Sequence, residues 1–230
     1  MEKDRYLRQK RFHAFGESGQ AALSKARVAI IGVGALGTVI AERLCRAGVG
    51  YLRLIDRDWV ELDNLARQTL FDEQDASQRR PKAIAAMEKL NAINSEVHID
   101  PHVEDFQPSN AEYLVEGCDL FMDGSDNFET RFLLNDVSLE TSIPWIHGGV
   151  LGASGQVMTI VPGTSCCLRC ILPEMPSADS VETCNTAGVV GAAVSMIASL
   201  QVIQAMKLLT ASMPIGDRST WFMMDMWDGA

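Results

Sequence analysis

The sequence predicts an α/β fold: a doubly wound, mostly parallel sheet with helices on both faces. Three observations carry that prediction. Runs of apolar, β-branched residues alternate with helical periodicity over the first 150 residues, which implies repeated βαβ units. A glycine-rich turn, Gly32-Val33-Gly34-Ala35-Leu36-Gly37, joins the first such run to the first helical stretch. The chain of 230 residues is 47% hydrophobic and 22% charged, ordinary for a globular protein. A chain of that length can bury roughly 70–75% of its unfolded surface in one core. Neither internal repeats nor low-complexity tracts are evident, which argues against a solenoid or a disordered chain.

The elements follow in order. Residues 27–32 (RVAIIG) read as a buried strand stopped by glycine. Leu36, Val39, Ile40 and Leu44 then recur at helical spacing across 35–47. Residues 51–56 (YLRLID) form a second strand. Pro81 suits the first position of a helix continuing through Ala83, Ile84, Met87 and Leu90, because its missing N–H has no partner there anyway. Ser109 and Glu112 are spaced as a capping box for a short helix. Residues 118–123 (CDLFMD) read as a strand, 128–139 as a helix, and 144–150 and 156–161 as two further strands. Residues 166–184 are irregular and contain proline, so a long loop is expected. Residues 187–209 carry no charge before Lys207 and are long enough to span a bilayer. Ser195, Ser199, Gln201 and Gln204, with no basic flank beyond Lys207, favour a buried core helix. Residues 220–226 are the last strand. The expectation is one Rossmann-like domain over residues 1–230. Its glycine-loop portion is 27–150, and its portion 151–230 carries the long buried helix and additional strands.

Charge is lopsided. Residues 1–100 hold 16 bases and 14 acids, whereas 101–230 hold 4 bases and 16 acids, and the whole carries −10. Duplex binding needs clustered Lys and Arg, which the acidic half lacks, so no nucleic-acid partner is expected. A small phosphate ligand held by the balanced half stays open. Glu2, Lys3, Asp4 and Arg5 follow Met1 with no apolar stretch, so a cytoplasmic location is expected. Six cysteines are too few for a disulfide scaffold and suit free thiols or metal ligands in a reducing compartment.

The glycine turn has the context that gives it meaning: a strand before it, a helix after it, and Asp56 ending the next strand. Such a turn lets phosphate approach backbone N–H groups at a helix N-terminus, and a carboxylate at Asp56 accepts bonds from ribose hydroxyls. By itself this would also fit an NAD-dependent oxidoreductase. Asp58, Asn64, Arg67 and Gln68 follow, then Lys82 after Pro81, then Asp123-Gly124-Ser125-Asp126-Asn127 at a strand end. Singly, Arg67 reads as a solvated charge, Lys82 as a first-turn surface residue and Asp126 as a helix cap. Together they suit a triphosphate, whose charge needs cations and whose oxygens share a metal held by a carboxylate.

The ordered set GVGALG, DRDWVELDNLARQ, RPKA and DGSDN resembles the ThiF/MoeB/HesA family of ubiquitin-activating-enzyme-like adenylyltransferases. The resemblance covers almost the whole chain, from Arg5-Tyr6-Leu7-Arg8-Gln9 to the last strand. It implies adenylation, by ATP with Mg²⁺, of the C-terminal glycine carboxylate of a ubiquitin-like sulfur carrier serving thiamine or molybdopterin synthesis. It further implies cofactor contacts from Gly32, Gly34, Gly37, Asp56, Asp58, Asn64, Arg67, Gln68, Lys82, Asp126 and Asn127. Asp126 would organise Mg²⁺, and Arg8 would reach into the partner site of a homodimer. Arg67, Lys82, Asp126 and Cys184 are the further catalytic candidates. Many members carry a short Gly-x-Pro-Lys stretch where this chain has Arg79-Arg80-Pro81-Lys82 after a longer loop.

Cys167 and Cys170 form a CxxC, half of a tetrahedral zinc site or a pair of reduced thiols. Family members add a second CxxC near the C-terminus, so a further C-terminal segment is expected beyond residue 230. Cys184 matches the cysteine many relatives place near the adenylate, and its position before a long helix would lower the thiol pKa. Some relatives need no covalent step there. Cys45 and Cys118 fall on core elements and are expected to be structural. A cysteine desulfurase or sulfurtransferase is a further candidate partner. Outside the leading reading stand a peptide or modified tRNA base as acceptor, an NAD-dependent oxidoreductase, and a scaffold without activity.

Overall fold

The computed structural model describes residues 4–176, 187–210 and 221–229. Seven strands form one sheet: β1 (Arg27–Ile31), β2 (Tyr51–Ile55), β3 (His98–His102), β4 (Leu120–Asp123), β5 (Trp145–Leu151), β6 (Ser154–Ile160) and β7 (Trp221–Asp225). Their order is β3-β2-β1-β4-β5-β6-β7. Strands β1 to β5 pair in parallel, while β6 and β7 add antiparallel. The sheet therefore runs through both expected portions of the chain.

The strands divide their side chains between two cores with period 2. Val28, Ile30, Leu52, Leu54, Leu120, Met122 and Ile146 face one core. Ala29, Ile31, Tyr51, Ile55, Phe121 and Trp145 face the other. Helices α3 (Ala35–Ala47), α5 (Lys82–Ile93) and the long α9 (Gly191–Leu209) cover the first face. Helices α6 (Ala111–Val115) and α7 (Phe128–Thr141) cover the second. Short helices α1 (Leu7–Lys10), α2 (Gly16–Leu23), α4 (Glu73–Ser77) and α8 (Leu168–Ile171) complete the set among the described residues.

Helix α3 buries Leu36, Val39, Ile40 and Leu44 on one stripe and ends at Gly48, whose φ of +82° gives a left-handed cap. Helix α7 begins where Asn127 Oδ1 accepts from Thr130 N at 2.8 Å. Helix α9 is long and apolar enough to cross a membrane by length and composition. Here Val194, Ile197, Ala198 and Val202 join the first core, and the buried Gln201 donates to the carbonyls of Asp123 and Ile146. That amide anchoring accounts for Gln201, while Ser195 and Ser199 donate to carbonyls of the helix itself.

Several local expectations shift. Pro81 is the residue before α5 rather than its first, with ψ of 130°. Ser109 caps nothing: Asn110 precedes α6 and accepts from Gln107 N at 2.9 Å. A short helix interrupts the loop expected after Cys166. Strand β3 (His98–His102) went unread because it contains Pro101 and lacks apolar alternation. It is an edge strand, where a missing donor is tolerated. On the second face Phe121 stacks on Trp145 at 6.3 Å between centroids, both fully buried. Phe121→Ala is expected to lower stability by about 3–5 kcal/mol, read by urea denaturation.

Candidate active site

A cleft of about 460 Å³ opens at the C-terminal ends of β1, β2 and β4. Because β1 is flanked by β2 on one side and β4 on the other, this is the switch point where doubly wound sheets bind ligands. Two backbone turns build its floor. Gly32, at φ of +87°, follows β1, and Gly124 follows β4 with its N–H on the Ile31 carbonyl at 2.8 Å. The turns touch so closely that a Cβ on Gly124 would lie 2.2 Å from the Gly32 oxygen.

The glycines of the motif separate by task. A Cβ on Gly37 would sit 1.9 Å from the Gly32 oxygen, so the chain itself demands glycine there. Gly37 is buried in α3 and is not among the residues lining the cleft. Gly34 is different. It lines the cleft, and a Cβ there would meet nothing nearer than Gln68 Nε2 at 3.9 Å. Internal packing does not explain that glycine, whereas close approach of a ligand does.

Asp56 ends β2 and faces the turn. Its Oδ2 accepts from Val33 N at 2.6 Å and its Oδ1 from Asp58 N at 2.8 Å. Burial raises its pKa, an effect opposed by Lys82 and by these backbone bonds. Each oxygen keeps acceptor capacity for a ribose hydroxyl. Lys82 opens α5, is almost fully buried, and reaches Asp58 Oδ2 at 3.2 Å. A short 3₁₀ turn (Leu62–Asn64) carries buried Asn64, whose Oδ1 closes a capping box with Glu61. Arg67 leaves this turn half-buried, with Nη1 donating to the Asp63 carbonyl at 2.9 Å. Gln68 is buried beside the cleft, and its Oε1 has no partner among the described residues. Asp126 and Asn127 border the cleft across from these groups.

Gly32, Gly34, Asp56, Asp58, Asn64, Arg67, Gln68, Lys82, Asp126 and Asn127 therefore line one cavity. Arg8 does not: it is exposed on α1 and absent from the lining. Cys167 and Cys170 lie on the surface at α8, with Sγ atoms 3.6 Å apart. Cys45 and Cys118 are buried, and burial pushes the Cys45 thiol up to about 11, which suits inert packing. Cys184 lies outside the described residues.

Sequence reading missed the groups behind the Asp126 turn. Asp123 is fully buried at the end of β4, with Oδ2 2.7 Å from His147 Nδ1 and Oδ1 accepting from the Ser125 hydroxyl at 2.6 Å. Burial alone would raise its pKa, but the bonds from His147 and Ser125 and the charge of Arg131 hold it below the usual carboxylate range. Burial lowers the pKa of His147, which favours a neutral ring donating Nδ1–H. Arg131, one turn into α7, lines the cleft and also went unread. Its spacing of four from Asn127 was the available signal.

The ThiF family model matches residues 6–228. A sulfur carrier protein ThiS adenylyltransferase of Bacillus subtilis is 45% identical over 90% of the chain, which spans 61% of that protein's length. A sulfur carrier protein adenylyltransferase of Thermus thermophilus is 35% identical over 90% of the chain and 78% of its own. The SAMP-activating enzyme E1 of Haloferax volcanii is 38% identical over 90% of the chain and 75% of its own. Among solved structures, Escherichia coli MccB with ATP superposes with a TM-score of 0.79 at 21% identity, covering 98% of this chain and 72% of MccB. PaaA superposes at 0.80 with 24% identity, covering 98% and 80%. Those two likenesses concern the fold. The matched family model spans nearly every residue, and the glycine turn, Asp56, Arg67, Lys82 and Asp126 fall in one cleft of the corresponding fold: the chain belongs to the ThiF family.

Proposed function

We propose that this protein uses ATP to adenylate the C-terminal glycine carboxylate of a small ubiquitin-like sulfur carrier. The observation that carries the reading is the convergence of Gly34, Asp56, Arg67, Lys82 and Asp126 on one cleft. Relatives named as sulfur carrier adenylyltransferases support the acceptor class. A dinucleotide oxidoreductase would have no use for that set of cations and the Asp126 carboxylate.

In the reaction a carrier carboxylate oxygen attacks the α-phosphorus. The bond from that phosphorus to the bridging oxygen breaks, and pyrophosphate leaves with the electron pair. Gly34 admits the phosphates close to backbone, and Asp56 holds the ribose. Arg67 and Lys82 stabilise charge as it moves onto the leaving pyrophosphate, already oriented before the reaction starts. Lys82 would exchange its Asp58 partner for phosphate oxygen.

Mg²⁺ fits the lining. Asp56, Asp58, Glu61, Asp63, Glu104, Asp105 and Asp126 outnumber Arg57, Arg67, Lys82 and Arg131, so a bare triphosphate meets repulsion. Asp126 is exposed to the cleft and would hold the ion, which supplies charge neutralisation between phosphate oxygens. Zinc fits in part: the 3.6 Å separation of Cys167 and Cys170 suits two thiolates on one tetrahedral ion. Among the described residues no group of three metal-ligating side chains gathers there. Arg8 belongs in this reading to a homodimer, completing the partner's cleft. Cys184 is the candidate for a covalent link to the activated carboxylate. We place the protein in the cytoplasm, in thiamine or molybdopterin synthesis, with a cysteine desulfurase or sulfurtransferase supplying sulfur. Exchange of labelled pyrophosphate into ATP that depends on both Mg²⁺ and a carrier is the expected result. Nucleotide binding without exchange across several carriers would count against it.

A further inference from the structure

We propose that the buried Asp123 carboxylate, clamped by His147 on β5, is a positioning group that fixes the 124–127 turn so that Asp126 presents its carboxylate in one orientation. The role given to Asp126 rests on the adenylation reading. The fixing of the turn rests on geometry alone.

The two oxygens of Asp123 face different elements. Oδ1 accepts from Ser125 N at 3.0 Å and Ser125 Oγ at 2.6 Å, holding the turn. Oδ2 accepts from His147 Nδ1 at 2.7 Å and from Gly148 N at 3.4 Å, and pairs by charge with the Arg131 guanidinium, whose Nε lies 3.4 Å away without a hydrogen bond, tying it to β5 and α7. Arg131 Nη2 closes the loop by donating to the Ser125 carbonyl at 3.2 Å. Every polar group of Ser125 is therefore bonded to Asp123 or Arg131. Gly124 N is held by the Ile31 carbonyl, and Asn127 by Thr130 N. Asp126 stands clear: it is exposed, and among the described residues its Oδ1 receives only Asn127 Nδ2, at 3.3 Å. A turn whose flanking residues are fixed and whose middle carboxylate is open is suited to hold a ligand without reorganising.

The chemistry also explains why residue 123 is an aspartate. Donors approach both oxygens, so an asparagine would turn an NH₂ group toward one of them. A buried carboxylate is tolerated only with such pairing. His147 supplies the strongest bond on the β5 side, and its Nε2 meets Gln156 Nε2 at 3.5 Å on β6, which favours the tautomer with hydrogen on Nδ1.

The test uses the full chain with His147→Leu, which removes the donor, and His147→Asn, whose amide nitrogen takes the place of Nδ1. Hydrogen–deuterium exchange reads the amides of 124–128, and calorimetry reads ATP binding with and without Mg²⁺. His147→Leu is expected to speed exchange in the turn by about tenfold or more. It should weaken Mg²⁺-dependent ATP binding to a similar degree, leave Mg²⁺-free binding within about twofold, and be rescued on both counts by His147→Asn. Unchanged turn exchange overturns the proposal. So does exchange that rises evenly across the sheet while the Mg²⁺ dependence stays intact. If His147→Leu does not fold, Ser125→Ala carries the same criteria from the opposite oxygen. Neither readout needs a carrier, so absence of carrier-dependent exchange in the unaltered chain defeats the adenylation reading alone.

Discussion

Arg67→Ala is expected to lower carrier-dependent pyrophosphate exchange by about 10²–10³-fold, the loss typical of removing one preorganised donor from a developing charge. The Arg67 side chain borders the cleft and is half-buried, and among the described residues its one bond is to the Asp63 carbonyl. Removing it leaves no buried group unpaired, so the melting temperature should stay within about 2 °C, as for a surface substitution. Lys82→Ala should match it in rate but not in stability, because Lys82 is nearly buried and paired with Asp58. Exchange kinetics beside thermal melts separate the two variants. A loss of less than threefold with Arg67→Ala would remove Arg67 from the phosphate site.

The second large effect contrasts two glycines three positions apart. Gly37→Ala pushes a Cβ to 1.9 Å from the Gly32 oxygen, backbone against backbone, where neither side can give way. Overpacking of this severity should lower stability by about 3 kcal/mol or more, which corresponds to roughly 6–12 °C in melting temperature for a chain of this size. Gly34→Ala meets no atom nearer than 3.9 Å and should melt like the unaltered protein. In the adenylation reading its methyl group would stand where phosphate approaches, so ATP affinity should fall by about tenfold or more. Melting curves and a nucleotide titration of both variants check the division. Equal loss of stability in the two would refute the claim that only one glycine faces the ligand.

What the sequence disclosed depended on whether the signal was local. Strands β1 and β2 were legible as continuous apolar runs buried on both faces, and helix α3 as apolar residues at helical spacing on one face. The cleft residues were legible because the glycine turn and the ends of successive strands follow one another along the chain. Strand β3 was not, since Pro101 and the polar residues around it give no alternation, and only pairing with β2 makes it a strand. Asp123 and His147 were unread as a pair for a similar reason. They are 24 residues apart, and the parallel register Met122↔Ile146 is what brings the next residue of each strand together. Arg131 looked like any charged helix residue until α7 turned it toward Ser125. At Gly37 the packing demand was hidden, because a motif shared by ligand contact and helix packing does not say which glycine does which.

The most direct measurement incubates the unaltered protein with ATP, Mg²⁺ and a purified carrier ending in glycine, then examines the carrier by mass spectrometry. Adenylation predicts a carrier bearing one added AMP, formed only when ATP and Mg²⁺ are both present and lost with Arg67→Ala. A panel of carriers left unmodified, with ATP bound but not consumed, would contradict it.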